Sequence, residues 1–312
     1  MTKATLALAL LAFTPLAPAQ QEQPAGEPAL EEEKRLPFLV ELTGRYVQHT
    51  EADLDEGGDF SMQRANARTR FFVPLSERFI FDTEIAYELS HYDFGGGGFG
   101  IAAQDPWSTT NNMHIRPLAV AMIHDDFALL GGPIIDYSGE SGADFYDSIT
   151  FGLIGAFRWQ VSESFAFGLG LQISDRLEDS TAFYPTFILN WQVTDRLLVR
   201  NTDFNLGAAG GTGAEAMYDL TDRLSVGAGF QAQIREFRLD ENGVAPNGVG
   251  REVTYPVYAR IDWSPTPKVM VSGFAGAFTG GSLQLKDSNG FKLHDEDYNT
   301  NFGFGLQVRG RF

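Results

Sequence analysis

The chain contains no cysteine. It therefore owes nothing to disulfides, and a lipid-acylated amino terminus is excluded. It also lacks any apolar run long enough for a membrane helix, because charged or strongly polar residues interrupt every stretch of the required length. Basic residues are scarce: 23 Lys and Arg against 41 Asp and Glu leave a formal charge of -18. That balance argues against partners held by simple electrostatics, nucleic acid and anionic headgroups alike. The few histidines form no pair with metal-ligand spacing, and Gly95 to Gly100 has no βαβ unit around it, so neither a metal nor a cofactor is expected. What is abundant is glycine, with 34 residues, and phenylalanine, with 26. Together they suit an all-β chain with many turns.

The amino terminus has the form of a secretory signal: Lys3, then the apolar run Ala4 to Phe13, then the small residues Ala17-Pro18-Ala19. Residues 1–19 are expected to be a signal peptide. Residues 20–37 carry Pro24, Pro28 and Glu31-Glu32-Glu33 with little that is apolar, and read as a disordered periplasmic linker. The remainder, 38–312, reads as one domain.

Within that domain, Ser61 to Ser90 forms two alternating strands. With Ser76 as apex, Arg70 faces Asp82, Arg68 faces Glu84, Asn66 faces Ala86 and Arg64 faces Glu88, while Phe71, Val73, Phe79, Phe81 and Ile85 share the other face. Because successive strand residues point to opposite sides, the hairpin has a charged ladder on one face and apolar side chains on the other. The same unit repeats along the chain. Short polar turns such as Ser162-Glu163-Ser164, Thr194-Asp195-Arg196 and Thr221-Asp222-Arg223 alternate with longer connections such as Phe94 to Thr110 and Asp240 to Arg251. Phe151, Leu153, Phe157 and Trp159 alternate with Thr150, Gly152, Arg158 and Gln160, and Val253, Tyr255, Val257 and Ile261 with Glu252, Thr254, Arg260 and Asp262. Short turns on one rim, long loops on the other and strands with one apolar face describe a closed antiparallel up-and-down transmembrane β-barrel. About fourteen strands are expected. Leu197–Leu206 and Val269–Phe278 alternate poorly, which leaves twelve as the alternative.

Trp159, Trp191 and Trp263 fall on apolar faces beside short turns, and Tyr46, Tyr87 and Tyr255 on apolar faces toward the long loops. These are candidate membrane girdles. The last strand alternates Phe302, Phe304, Leu306, Val308 and Phe312 with polar or small residues, and resembles the signal read by the outer-membrane assembly machinery. With Tyr218 to Arg223, Arg235 to Asp240 and Tyr255 to Tyr258, the carboxyl-terminal half resembles a family of uncharacterised outer-membrane β-barrel proteins of Gram-negative bacteria. The resemblance implies fold and bacterial outer-membrane location, and brings no catalytic residues with it.

In such a barrel Arg64, Arg68, Arg70, Asp82, Glu84 and Glu88 line the lumen, and opposed rows of charge sort small solutes. The expected function is a passive, porin-like channel for small polar solutes. The alternative is a non-conducting barrel that binds or supports through its long loops, and the third is an outer-membrane lipid hydrolase. The last rests on the extended register, which sets Ser61 against His91 and Asp59 against Asp93 on the lipid side. No oxyanion donors accompany them, and the chain is read as non-enzymatic. The loop from Phe94 to Thr110, with Gly95 to Gly98 as hinge and Trp107 as anchor, has the means to fold inward but is expected to be exposed. Outer-membrane lipid and the assembly machinery are the remaining expected partners.

Overall fold

A computed structural model describes residues 38–96, 100–178, 180–202 and 211–312. The expected signal peptide and linker lie outside the described residues. Strands β1 (Leu39–Asp53), β2 (Asp59–Ser76), β3 (Phe79–Gly95), β4 (Thr109–His124), β5 (Phe127–Glu140), β6 (Ile149–Ser162), β7 (Phe165–Asp175) and β8 (Thr181–Thr194) form the first half. They are followed by β9 (Leu197–Asn201), β10 (Gly211–Thr221), β11 (Leu224–Arg238), β12 (Val249–Thr266), β13 (Val269–Lys286), β14 (Lys292–Tyr298) and β15 (Asn301–Arg311). From β1 to β13 each pairs antiparallel with its sequence neighbours, β14 and β15 both pair with β13, and β15 pairs with β1 to close the ring. β14 and β15 lie end to end along β13, so the fifteen segments make a barrel of fourteen staves.

Pairing of β15 with β1 removes the two outer edges of the sheet, which is how a barrel satisfies its backbone where lipid offers no partners. The seam is finished by the terminal residue: the Phe312 amide donates to the Val40 carbonyl at 2.9 Å, and Val40 returns the bond at 3.0 Å. The weakly alternating stretch at Leu197 is a strand only to Asn201. There the Asn201 side chain continues the ladder, accepting from the Leu189 amide at 2.6 Å and donating to the Phe187 carbonyl at 2.9 Å.

Alternation sorts the two faces. Phe151, Leu153, Leu169, Phe183, Phe230, Val257, Phe304 and Leu306 are exposed on the outside. Leaving one such side chain in water costs about 1.5 to 3 kcal/mol, so an exterior built of them around the whole ring is stable in lipid and not in water. Glu41, Arg64, Glu88, Arg235, Glu252, Arg260 and Gln307 are buried inside. This is an integral outer-membrane barrel, apolar outside and charged within.

Candidate functional site: the bore

The bore is layered because the inward residues change character along each strand. From the turn upward, β2 presents Arg70, Arg68 and Arg64 and then Met62 and Phe60. β3 presents Asp82, Glu84 and Glu88 and then Tyr92 and Phe94.

In the lowest layer, Arg70 holds both oxygens of Asp82, at 2.8 and 2.5 Å, and lies 4.5 Å over the Phe72 ring. Arg68 sits between Glu41 at 3.5 Å and Glu84 at 3.7 Å, and Arg116 reaches Glu84 at 3.0 Å. Arg311 meets Glu41 from the other side at 3.0 Å. The register corrects the expected one by two residues: Arg70 is opposite Glu84, Arg68 opposite Ala86 and Arg64 opposite Ser90. The hairpin closes on Ser76 and Phe79 through Glu77 and Arg78, with an irregularity between Pro74 and Ser76. An even shift leaves every side chain on its face. Long side chains then reach diagonal partners, so Arg64 still meets Glu88 at 3.4 Å.

Above this layer a knot of charge crosses the bore. Arg64 reaches Glu252 on β12 at 3.0 Å, and Arg235 on β11 reaches Glu88 at 3.3 Å and Glu252 at 3.8 Å. The Tyr92 hydroxyl donates to Glu252 at 2.7 Å, and Arg64 donates to the Ser90 hydroxyl at 2.8 Å. β2 and β3 are not neighbours of β11 and β12 in the sheet, so the contacts of Arg64 and Tyr92 with Glu252, and of Arg235 with Glu88, span the lumen. Arg235 and Glu252 both have inward parity in the sequence. Parity alone does not reveal which residue they meet across the barrel.

At the extracellular end lies an apolar core of Phe60, Tyr92, Ile101, Trp107, Phe237 and Leu283, among others. The β3–β4 loop is thus not the exposed loop expected. Trp107 is 1 % exposed, its indole edge-on to Phe237 at 5.2 Å and to Phe94 at 5.4 Å. The loop turns inward at Gly96, whose φ of +82° suits glycine. Of the expected hinge, Gly97 and Gly98 lie outside the described residues. Glu296 on β14 pins the loop by accepting from the Ile101 amide at 2.8 Å, while its other oxygen accepts from the Glu56 amide of the β1–β2 connection at 2.6 Å. The readable signal was the switch from charged to aromatic residues at inward positions near the tops of β2 and β3. That switch builds an apolar pocket which the loop fills.

A second closure lies beside it. The ends of β5 and β11 touch across the ring in a single parallel bridge between Gly139 and Arg238, and the Ser138 hydroxyl donates to the Glu236 carbonyl at 2.6 Å. The β7–β8 loop lies over the gap: Arg176 grips both oxygens of Glu236, Lys286 meets Glu178 at 3.0 Å, and Arg238 donates to the Leu177 carbonyl. The hydrogen bond that Arg176 donates to Glu236 raises the arginine pKa above its ordinary value, so the arginine side of this latch does not titrate.

Below the roof, a cavity of about 1640 Å³ opens between the short turns, at Asp222, Arg223 and Lys268, and rises to Arg176 and Tyr184. Its two sides differ. Glu41, Arg68, Arg70, Glu84 and Arg116 form a charged wall, while Gln172, Thr186, Asn190 and Gln192 on β7 and β8 form a neutral polar one.

On the outside, Trp159, Trp191 and Trp263 are exposed a few residues from short turns. Tyr46, Tyr87 and Tyr255 are exposed higher up. The Tyr46 hydroxyl donates to Gln48 at 3.0 Å and the Tyr87 hydroxyl to Asn111 at 2.7 Å. Phe302, Phe304, Leu306 and Val308 point outward along β15. The Phe312 ring lies 3.0 Å from where a Gly310 side chain would begin. The Ser61–His91 pair does not form: Ser61 is opposite Asp93, Gln63 is opposite His91, and His91 bonds to Thr109 at 3.1 Å. The expected register carried that site, and the same shift of two residues removes it.

No family model and no curated protein matches the chain. Among solved structures it is similar to an outer-membrane channel from Pseudomonas putida F1, with 11% identity, TM-score 0.48, and coverage of 92% of this chain and 100% of that one. It is similar also to a Pseudomonas aeruginosa FadL homologue, with 11% identity, TM-score 0.47, and coverage of 88% and 90%. The P. putida toluene transporter TodX aligns at 7% identity and TM-score 0.42, over 88% of this chain and 90% of that one.

Proposed function

We propose that the protein is a porin-like outer-membrane channel for small polar solutes, entered from the periplasmic rim and held closed at the extracellular mouth. The observation that carries this reading is the 1640 Å³ cavity, walled by ion pairs on one side and amides and hydroxyls on the other. A structural barrel has no need of so large a hydrated space. Arg64, Arg68, Arg70, Asp82, Glu84 and Glu88 set its field, with Arg64 and Glu88 in the constriction. Trp159, Trp191 and Trp263 anchor one membrane interface, Tyr46, Tyr87 and Tyr255 the other, and the β15 face from Phe302 to Phe312 is read by the assembly machinery. A specific observation favours a second reading, a non-conducting barrel acting through its loops: an apolar core and a salt-bridged roof occupy the mouth.

Planar-bilayer recording separates the two. The channel reading expects brief openings of the refolded protein and a several-fold higher open fraction on joint Arg176→Ala and Lys286→Ala substitution, which removes the latch. No conductance from either form removes the channel and leaves the second reading.

A further inference from the structure

We propose that the bore carries a binding site for a small organic carboxylate, centred on Arg158. This deepens the channel reading, since a site in the bore serves solutes that enter it.

Arg158 differs from the other arginines of the cavity. Arg68, Arg70, Arg116, Arg176 and Arg200 each hold a carboxylate. Arg158 lines the same cavity at 4 % exposure, and its guanidinium donates to the neutral Gln160 amide oxygen at 2.5 Å. Among the described residues no carboxylate lies within ion-pair distance of it. A charge withdrawn from bulk water without a counter-charge is unfavourable, so the site gains most from a ligand that supplies one.

Its surroundings leave room for that ligand. The residue beside Arg158 on β5 is Ala128, and the position beside it on β7 is Gly168. A side chain at Gly168 would collide with the Phe157 carbonyl, so the strands approach too closely there for anything larger. The sheet is therefore low on both sides of Arg158, and the small part of its surface left open faces the cavity. Beyond Gly168 in the same row stands Ile188, flanked along β8 by Thr186 and Asn190, and with Gln172 and Gln192 these supply donors and acceptors without charge.

The ligand class follows from this set. One planar guanidinium matches one carboxylate through two parallel hydrogen bonds. A phosphate monoester carries about 1.5 to 2 charges and calls for further cations, which this wall lacks. The neutral wall suits hydroxyl groups on the remainder of the molecule. A hydroxylated monocarboxylate thus fits better than a phosphate or an uncharged polyol.

Gluconate and sorbitol differ in that one group, and calorimetric titration of the folded, detergent-solubilised protein compares them. Saturable binding of gluconate, no binding of sorbitol, and at least a tenfold loss for gluconate in Arg158→Gln are expected. Arg158→Lys, which keeps the charge but loses the paired hydrogen bonds, should bind more weakly than the wild type and more tightly than Arg158→Gln. Heat-modifiable gel mobility checks that each variant is a closed barrel. The site is overturned if the wild type shows no gluconate binding, if sorbitol binds equally, or if Arg158→Gln binds as the wild type does. Arg158-dependent binding in a barrel that never conducts removes the channel and leaves the site. Conductance without gluconate binding removes the site alone.

Discussion

At the scale of single residues, the bore depends on charges that compensate one another away from bulk water. Glu252 is 1 % exposed and accepts from Arg64 at 3.0 Å and Tyr92 at 2.7 Å, with Arg235 at 3.8 Å. Glu252→Gln keeps the shape and removes the charge, so two buried guanidiniums lose a carboxylate they share. Breaking a buried pair in this way costs about 3 to 5 kcal/mol. Urea titration of folding into phospholipid vesicles should show a loss of that size, against about 0.5 kcal/mol or less for Glu51→Gln at an exposed position. A Glu252→Gln midpoint equal to wild type would mean that the knot contributes nothing to stability. The sequence made the facing of these residues readable, since parity in β2, β3, β11 and β12 assigns each one inward. It could not supply the pairings of Arg64 with Glu252 or Arg235 with Glu88, because those contacts join strands that are not neighbours and depend on the width of the bore.

At the scale of elements, local rules assigned the faces of neighbouring strands, misplaced the register at one turn, and failed where a segment left the sheet. The two-residue error in the β2–β3 hairpin arose at its turn, which lies at Glu77 and Arg78 and not at Ser76, with the irregularity between Pro74 and Ser76 taking back part of the difference. The ladder survived because an even slip preserves faces, whereas the proposed Ser61–His91 pair depended on register and did not. The inward β3–β4 loop was missed for a different reason. Its composition is glycine-rich at the start, and the apolar contribution of Ile101 and Trp107 acquires meaning only beside Phe60, Tyr92 and Phe237. Trp107→Ala tests how much of the plug hangs on that ring. Truncating a buried aromatic costs about 3 to 5 kcal/mol, and here the loss falls on the loop's docking and not on the barrel ladder. Limited proteolysis of the folded protein should then cut between Ile101 and Thr109 at least ten times faster, with urea stability of the barrel little changed. Equal cleavage rates would show that Glu296, through its bond to the Ile101 amide, holds the loop without the indole.

At the scale of the whole molecule, the barrel combines a closed upper bore with a charged lower one, and its charge asymmetry makes a prediction about ions. Arg68 lies between Glu41 and Glu84 at 13 % side-chain exposure, facing the cavity. Arg68→Glu changes the local charge by two units and places three carboxylates together, with Arg70, Arg116 and Arg311 left to screen them. In a confined space bounded by low-dielectric walls, such a change is felt by every ion that passes, because field lines are focused along the water-filled path. The reversal potential in a potassium chloride gradient should therefore move toward the potassium value. The shift should be larger at low salt than at 1 M, where the screening length is about 3 Å. If the wild type opens too seldom to record, the comparison is made in the Arg176→Ala, Lys286→Ala background, where the roof is released and the lower bore is intact. An unchanged reversal potential in a conducting barrel would place the ion path away from Arg68, along the neutral wall of β7 and β8, and would remove the charged ladder as the element that sorts solutes.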